Sequence, residues 1–92
     1  LAGTRPCLIF SVDQFNHGPL DLVVAVPITL TRRDWPTHVT IEPPEGGLKK
    51  LSFIKCEDVR SVSRQRFIKR LGSVSGKTMA ETEERIRIIL GL

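Results

Sequence analysis

Short apolar runs separated by turn-forming residues occupy most of the chain, a pattern typical of β-strands. The predicted strands cover residues 5–12, 21–29, 37–42, 51–56, 59–62 and 67–74. In the third run polar and apolar residues alternate with period two, so Val39 and Ile41 are expected to face the core. This regular series of short strands favours an antiparallel barrel over a parallel sheet.

The residues between these runs predict where strands end. Residues 13–19 are rich in turn formers and are expected to form an exposed loop, while 63–66 predicts a tight connection. Pro27 cannot donate a hydrogen bond to a neighbouring strand, so it predicts an edge, a bulge or a strand end. The strongest breaker is Pro-Pro-Glu-Gly-Gly at 43–47, which predicts a turn between two strands.

The C-terminal segment has helical periodicity instead. Ser75 is expected to cap a helix over residues 76–90, and Gly91 is expected to end it. The residues at helical spacing are Met79, Thr82 or Glu83, Ile86, Ile89 and Leu90. Because 92 residues suffice for one core but not two, the prediction is a single domain over 1–92, mainly β with one C-terminal helix.

The composition limits the choice of partners and of compartment. A formal net charge of +4 and a pI near 9.6 favour polyanionic partners such as nucleic acid, although ordinary solubility explains them equally well. Cys7 and Cys56 lack the spacing of a zinc or redox pair and are expected to be core thiols in a reducing compartment. No apolar run approaches the roughly 18 residues that a membrane span needs, so a cytoplasmic protein is expected.

Considered alone, the residues offer little conventional catalytic machinery. The chain has no Gly-rich phosphate loop, no metal-ligand spacing and no nucleophile elbow, so neither a cofactor nor a metal is expected. His17 and His38 would form the acid–base pair of a metal-independent ribonuclease if the fold brought them together. Alternatively, His17 is a solvated loop residue and His38 hydrogen-bonds a loop carbonyl.

Cationic and aromatic residues suggest a surface for nucleic acid. The basic residues between positions 60 and 70, where no acidic residue occurs, are Arg60, Arg64, Arg66, Lys69 and Arg70. They suit phosphate binding, unless they only form a solvated hairpin. Trp35 is the best candidate for stacking a base, because it lies in a predicted loop with Arg32 and Arg33. These features alone support a generic nucleic-acid-binding barrel.

Several segments, taken in order, resemble the MazF/PemK toxin family across nearly the whole chain. They are Gly3-Thr-Arg-Pro-Cys-Leu-Ile9, Leu22-Val-Val-Ala-Val-Pro-Ile-Thr29, Pro36-Thr-His-Val-Thr-Ile41, the stretch from Gly47 to Ser61, Arg66-Phe-Ile-Lys-Arg-Leu-Gly-Ser-Val74 and the closing Leu90-Gly-Leu92. Each segment is weakly diagnostic by itself, but their order and spacing together are specific.

The resemblance implies a small SH3-like barrel with a C-terminal helix that forms homodimers. It also implies a toxin that cleaves single-stranded RNA (mRNA) at short sequences without a metal and is inhibited by a cognate antitoxin with an acidic tail. Arg5 corresponds to the family's catalytic arginine and Thr29 to its catalytic threonine. The alternatives are that Arg5 pairs with Glu57 or Asp58, and that Thr29 only ends a strand.

The family also suggests further contacts with RNA, at His38 and Ser52. The expected RNA-binding set is therefore Arg32, Arg33, Trp35, His38, Ser52, Arg60, Arg64 and Arg66. Two features depart from the family pattern. The usual N-terminal strand is missing before Leu1, which suggests an incomplete record, and Asp58 stands where many relatives carry glutamine, so a carboxylate could weaken phosphate binding or alter base choice.

Two other functions fit the same barrel. One is a non-catalytic toxin that blocks a topoisomerase through its dimer surface, a mode that needs neither Arg5 nor Thr29. The other is an RNA-binding barrel, which would bind RNA in a salt-sensitive way and release no product. Endoribonuclease activity is the leading expectation because both of the family's catalytic positions are matched.

Overall fold

The computed structural model describes residues 4–92, so Gly3, where the family resemblance begins, lies outside the described residues. The strands are β1 (Cys7–Ile9), β2 (Leu22–Thr29), β3 (His38–Ile41), β4 (Ser52–Lys55) and β5 (Arg60–Ser63). The helices are α1 (Asp13–Asn16) and α2 (Gly76–Leu90), with 3-10 turns at Glu45–Gly47, Cys56–Asp58 and Arg64–Arg66. The predicted fold class, mainly β with one C-terminal helix, is confirmed. In the part described, neither helix is long and apolar enough to span a membrane.

Strand β2 is shared by two antiparallel sheets, β1–β2–β5 and β2–β4–β3. On one edge of β2, β5 pairs with Leu22–Ala25 and β4 pairs with Ile28–Thr29. The Ile28 amide donates to the Pro6 carbonyl at 3.2 Å, on the β1 side. The nitrogen of Pro27, one residue earlier, therefore faces the other edge, between the end of β4 and the start of β5. Pro27 lies inside β2, and it is the partner strand that is interrupted there.

One face of these sheets packs with α2 to form the hydrophobic core. The buried core cluster comprises Leu8, Val26, Ile28, Val39, Ile41, Ile54, Cys56 and Ile86. The prediction that Val39 and Ile41 face the core is confirmed, and Cys56 is a core thiol whose pKa burial raises to about 11. Cys7 is only half-buried. Since neighbouring residues of a strand point to opposite faces, the residues between the core positions form an outer face, away from this core.

The sequence placed α2 accurately because its capping residues are local signals. The Ser75 hydroxyl accepts a hydrogen bond from the Thr78 amide at 3.1 Å, and Gly91 ends the helix in the left-handed region at φ 73°. Thr82 and Ile86 are buried, whereas Ile89 and Leu90 are exposed. The apolar residues at the end of the predicted stripe therefore do not reach the core of this chain.

Two predicted elements differ in the structure. Residues 67–74 are irregular rather than a strand, because the turn Glu45–Gly47 contacts them at isolated backbone points and forms no ladder. The Gly46 amide donates to the Ser73 carbonyl at 3.0 Å, and a Cβ on Gly47 would lie 2.0 Å from the Leu71 carbonyl oxygen. In the predicted loop 13–19, the short helix α1 forms and its last residue is buried.

Candidate functional site

The strand register lines up four residues across the outer face. Thr29 of β2 is opposite Phe53 of β4. In the β1–β2 pair, Cys7 is opposite Pro27, and continuing this register by two residues brings Arg5 opposite Thr29. Directly opposed residues project to the same side of a sheet and are close neighbours. The resulting row across β1, β2, β4 and β3 consists of Arg5, Thr29, Phe53 and Thr40.

Two more basic residues lie on the outer face beside this row. Arg60 of β5 is opposite Ala25, which points to the same side as Thr29 because the two are four residues apart on β2. The Arg60 charge extends to Cys7, where burial raises the pKa of the thiol and Arg60 lowers it in part. Lys55 lies two residues beyond Phe53 on β4, so Arg60 and Lys55 frame the row with positive charge.

The Lys55 ammonium forms an ion pair with Asp58, with 2.9 Å between Nζ and Oδ2. This pairing bears on the departure from the family pattern noted at Asp58, because the carboxylate does not stand alone beside the basic residues. A half-exposed pair of this kind is weak in water, so Lys55 can exchange Asp58 for a phosphate at small cost.

The β2–β3 connection carries the cationic and aromatic residues predicted to bind RNA. The Arg32 guanidinium carbon lies 5.4 Å from the Phe53 ring centroid, and Arg32 also pairs with Asp34 at 3.0 Å. The guanidinium carbon of Arg33 lies 5.3 Å from the Trp35 ring centroid. Both arginines are exposed, so the connection adds positive charge and an open indole beside the row.

The side chains of Thr29 and Arg5 are both at least partly accessible to solvent. The Thr29 hydroxyl oxygen accepts a hydrogen bond from the Thr31 amide at 3.1 Å, which leaves the hydroxyl proton free to be donated. Arg5 is exposed. The two carboxylates considered as structural partners for Arg5 are engaged elsewhere, Glu57 with His38 and Asp58 with Lys55.

His38 is buried beneath Trp35 rather than lining an open groove. Its Nε2 lies 3.1 Å from a carboxylate oxygen of Glu57, and the Thr37 hydroxyl donates to the other oxygen at 2.7 Å. Burial raises the pKa of Glu57, but hydrogen bonds from Thr37, its own backbone and His38 lower it to a net value below its usual range. The His38 and Trp35 ring centroids are 5.3 Å apart at 51°. The expected direct contact of His38 with RNA is therefore replaced by contact with Trp35.

His17 and His38 do not meet as an acid–base pair. His17 Nδ1 lies 3.4 Å from an Arg64 guanidinium nitrogen, near α1, whereas His38 is held by Glu57. Each imidazole is thus fixed by a different element, and the fold provides no arrangement in which the two share a reacting group.

Ser52 is also placed differently from the expectation. It is opposite Ile41, a core residue, so its side chain points to the inner face and is only 2% exposed. Its hydroxyl donates to the Lys50 carbonyl at 2.8 Å. The prediction of an RNA contact at Ser52 is wrong for this arrangement, because the period-two alternation of β4 turns Phe53 outward instead.

Of the predicted basic cluster, Arg64 is occupied by the protein itself. Its guanidinium donates to the Asn16 carbonyl at 2.8 Å and pairs with Asp21 at 3.0 Å, which ties α1 to the end of β5. Arg64 therefore has a structural role, and a phosphate would have to displace Asp21 to bind it. Arg66, in the following turn, is exposed.

Sequence reasoning missed the outer-face roles of Phe53, Thr40, Lys55 and Glu57. The signal for two of these was present, since taking Ile54 as a core residue places Phe53 and Lys55 together on the opposite face. The position of Glu57 under His38 had no sequence signal. Within residues 4–92, no three His, Cys, Asp or Glu side chains are grouped so that they could hold a metal ion.

The sequence is similar to known proteins along nearly its whole length. The sequence matches the family described as PemK-like, MazF-like toxin of type II toxin-antitoxin system over residues 1–90. Endoribonuclease MazF of Staphylococcus saprophyticus is 35% identical over 91 residues, covering 98% of this chain and 76% of that protein. Endoribonuclease EndoA of Bacillus subtilis is 29% identical over 91 residues, covering 98% of this chain and 78% of that protein.

Solved structures show the same fold. A mycobacterial endoribonuclease in complex with its cognate antitoxin superposes with a TM-score of 0.82 at 30% sequence identity. The superposition covers 98% of this chain and 84% of the other. The arrangement of five strands and a C-terminal helix is thus shared along nearly the whole length of the present chain.

Proposed function

This chain belongs to the PemK-like, MazF-like toxins of type II toxin–antitoxin systems, and from that membership we propose that it is a metal-independent endoribonuclease acting on single-stranded mRNA through Arg5 and Thr29. The proposal is supported by the β1–β2 register, because continuing it two residues beyond the Cys7–Pro27 pair puts position 5 opposite position 29 on the outer face. The names of the two relatives, both endoribonucleases, support the activity.

The reaction requires attack by a ribose 2′-hydroxyl on the adjacent phosphorus. The new bond joins the 2′-oxygen to phosphorus and the bond to the 5′-oxygen breaks, so the products are a cyclic phosphate and a 5′-hydroxyl. The attacking hydroxyl loses a proton and the leaving oxygen gains one. DNA lacks the attacking hydroxyl and is not cleaved.

Arg5 holds the phosphate and stabilises the charge that grows on it. A guanidinium presents several donors in a rigid fork and stays protonated, so it binds two phosphate oxygens at once. Thr29 donates its free hydroxyl proton to a phosphate oxygen, because its own oxygen already accepts from the Thr31 amide. Both residues thus act by electrostatic stabilisation and positioning, which commonly dominate such reactions.

The neighbouring cations bind the flanking RNA backbone. Arg60 is on the same face as Thr29, and Arg32 and Arg33 are exposed on the adjoining connection. Arg66 extends this basic surface from the turn after β5. His38, Ser52 and Arg64 are left out of the proposed contacts because their polar groups are buried or occupied.

The cleavage assay tests the proposal directly. We expect Arg5→Ala to lower the rate of metal-free RNA cleavage by roughly a hundredfold, about 3 kcal/mol, as for loss of one well-placed oxyanion donor. Arg5→Lys keeps the charge but loses the two-pronged contact, so it should recover only part of the rate. The measurement uses mixed-sequence RNA in chelator, with DNA of the same sequence as a control. RNA binding without product in the wild-type protein would instead indicate a binding barrel or a non-catalytic toxin.

The partners proposed are a cognate antitoxin and a second copy of the chain. The basic outer face and the net charge of +4 suit an acidic antitoxin tail that covers Arg5 and Arg60. Exposed apolar side chains, among them Ile68, Ile88 and Leu92, support a homodimer. Light scattering measures the dimer, and antitoxin added to the cleavage assay should abolish activity. A toxin that acts on mRNA works in the cytoplasm, which is the proposed location.

A further inference from the structure

Trp35 is an exposed aromatic side chain that the protein supports from its interior. The residue is 48% exposed and lies in the connection between β2 and β3. The ring contacts the imidazole of His38, whose side chain is only 3% exposed, and faces the guanidinium of Arg33. One side of the indole is thus open to solvent, and the other side packs on a buried ring. A side chain that only filled space in the core would have no open side.

The orientation of His38 depends on one polar contact. Glu57 is a carboxylate with a lowered pKa, so it accepts hydrogen bonds, and His38 Nε2 must be the donor. The other ring nitrogen, Nδ1, is buried and has no hydrogen-bond partner within residues 4–92. Buried polar atoms are seldom left unpaired. Because Nδ1 has no such partner, the hydrogen bond from Nε2 to Glu57 is the contact that orients the imidazole. The imidazole in turn packs against the indole of Trp35 and supports it.

The indole is close to the proposed phosphate site. His38 and Thr40 are alternate residues of β3, so both point to the outer face, and Thr40 belongs to the row that contains Thr29. Two strand spacings across and two residues along separate the Cα atoms of Thr29 and His38 by roughly 12 Å. Trp35 packs on His38, so a base near the scissile phosphate is within its reach.

We propose that Trp35 is the stacking site for one RNA base beside the scissile phosphate, and that His38 and Glu57 are positioning residues that hold the indole for it. The proposal rests on the RNA cleavage proposed for Arg5 and Thr29 and names how the same site holds its substrate. Stacking of a base on an aromatic ring is stronger than an exposed cation–π contact. The base therefore displaces the Arg33 guanidinium or inserts between it and the indole.

The first experiment measures binding through the indole itself. Trp35 is the only tryptophan, so its fluorescence reports on this site alone. The probe is mixed-sequence RNA with 2′-O-methyl riboses, which lacks the attacking hydroxyl and is not cleaved. We expect RNA to quench the fluorescence of the wild-type protein. Binding by the tryptophan-free variants is followed by the anisotropy of end-labelled RNA, and Trp35→Ala should weaken it by about ten- to a hundredfold, whereas Trp35→Phe should retain most of it. Leu20→Ala, an exposed apolar truncation remote from the row, is the matched control.

The second experiment tests Glu57 as a positioning residue. Glu57→Ala should raise the KM for RNA by about tenfold at nearly unchanged kcat, as Trp35→Ala does, since both lose a stacked base and keep the phosphate contacts. It should also make the indole more accessible to acrylamide in the free protein. Glu57→Gln can still hydrogen-bond His38 and Thr37 and should restore both readings. Circular dichroism identifies variants that fail to fold. If Glu57→Ala fails to fold, the test is the comparison of KM and acrylamide quenching between Glu57→Gln and the wild-type protein.

The third experiment locates the base. Once the cleavage site is mapped, single abasic substitutions are placed at successive positions around it. At one position, removing the base should weaken RNA binding by the wild-type protein as much as Trp35→Ala weakens binding of intact RNA. Removing the same base should not weaken binding by the Trp35→Ala variant any further. No such position, or quenching by antitoxin but not by RNA, would overturn the proposal.

The outcomes separate this proposal from the proposed function. If wild-type protein cleaves RNA but Trp35→Ala has an unchanged KM, the stacking site is wrong and the endoribonuclease stands. If RNA quenches Trp35 but is never cleaved, the endoribonuclease is wrong and Trp35 is a stacking site in a binding protein.

Discussion

At the scale of single residues, the direction of each hydrogen bond decides what a side chain can still do. The Thr29 oxygen accepts from the Thr31 amide, so the hydroxyl is available as a donor and poorly suited to act as a base. Arg64 contacts Asn16 and Asp21 through its two terminal nitrogens, although the sequence presents it as one of several equivalent arginines. Residue type alone therefore does not distinguish a ligand-binding group from a structural one.

The donor role of Thr29 can be checked with two substitutions. Thr29→Val keeps the shape of the side chain but has no hydroxyl, so cleavage at saturating RNA should slow by about ten- to a hundredfold. Thr29→Ser keeps the hydroxyl and should stay within about threefold of wild type. Initial rates measured in chelator give the comparison. A large loss in Thr29→Ser with little loss in Thr29→Val would mean that the methyl group, and not the hydroxyl, matters at this position.

At the scale of elements, two remote contacts hold α2 and the segment before it. A Glu45 carboxylate oxygen accepts from the Ser75 amide at 2.9 Å and from the Thr78 hydroxyl at 2.5 Å, so a residue of the β3–β4 connection helps cap the helix. The backbone at Gly47 passes directly over Leu71. These contacts explain why residues 67–74 are ordered without being a strand.

The Glu45 contacts make stability depend on pH. Hydrogen bonds from Thr78 and Ser75, with the charge of Lys77, lower the pKa of Glu45 against a smaller effect of burial. A depressed folded-state pKa stabilises the protein above the unfolded value of about 4.3, and this contribution is lost as the pH falls through the folded pKa. Glu45→Gln should therefore lower the urea midpoint at pH 7, with a difference that shrinks on acidification below about pH 4.

The matched control for this series is Glu42→Gln, an exposed carboxylate at the end of β3. Urea unfolding at several pH values between 7 and about 2.5 gives both curves. A difference between Glu45→Gln and wild type that persists unchanged in acid would show that the charge of Glu45 does not stabilise the cap.

The close crossing at Gly47 predicts a strong effect on stability. A Cβ at this position would meet the Leu71 carbonyl oxygen at 2.0 Å, and φ is 72°. Gly47→Ala should therefore destabilise the fold by at least about 2 kcal/mol. Gly76→Ala has open space and lies at the start of α2, so it should be neutral or stabilising by up to about 1 kcal/mol. Thermal and urea unfolding measure the stability of both variants. Similar stabilities would contradict the close approach of Gly47 to Leu71.

At the scale of the whole molecule, the fold gathers basic residues from distant parts of the chain onto one face. Arg5, Arg32 and Arg60 belong to three different segments, and strand pairing brings them around the same row. The opposite face is the apolar core. These three arginines thus supply positive charge where a polyanion can bind.

This distribution predicts which arginines contribute to the salt dependence of RNA binding. Each phosphate contact contributes a slope of about −0.7 to log K against log salt for single strands. Arg60→Ala should reduce the slope by about that amount. Arg64→Ala, four residues away, should leave the slope unchanged and lower stability instead, because Arg64 ties α1 to β5. Titrations of 2′-O-methyl RNA at several salt concentrations measure the slopes of both variants. A reduced slope for Arg64→Ala would show that Arg64 contacts RNA.

Much of the fold was predictable from local patterns. Strand β3 was expected at 37–42 and spans His38–Ile41, and α2 spans Gly76–Leu90 as its caps at Ser75 and Gly91 predicted. These signals are local because they depend on side-chain alternation, on capping hydroxyls and on glycine at positive φ. The family resemblance supplied Arg5 and Thr29 as candidates, which no periodicity would have singled out.

The sequence by itself thus determined strands β2 to β5 and helix α2 to within one or two residues, and its family resemblance supplied the candidate catalytic pair. It did not predict α1 or the irregular path of residues 67–74. Only the tertiary structure decided that Ser52 is opposite the core residue Ile41, that Arg64 contacts Asn16, and that Glu57 contacts His38 beside Trp35. The physical reason is that strand register and ion-pair choice depend on partners far away in the chain. A one-residue change of register would reverse every side chain of a strand, and no local pattern fixes which partner it finds.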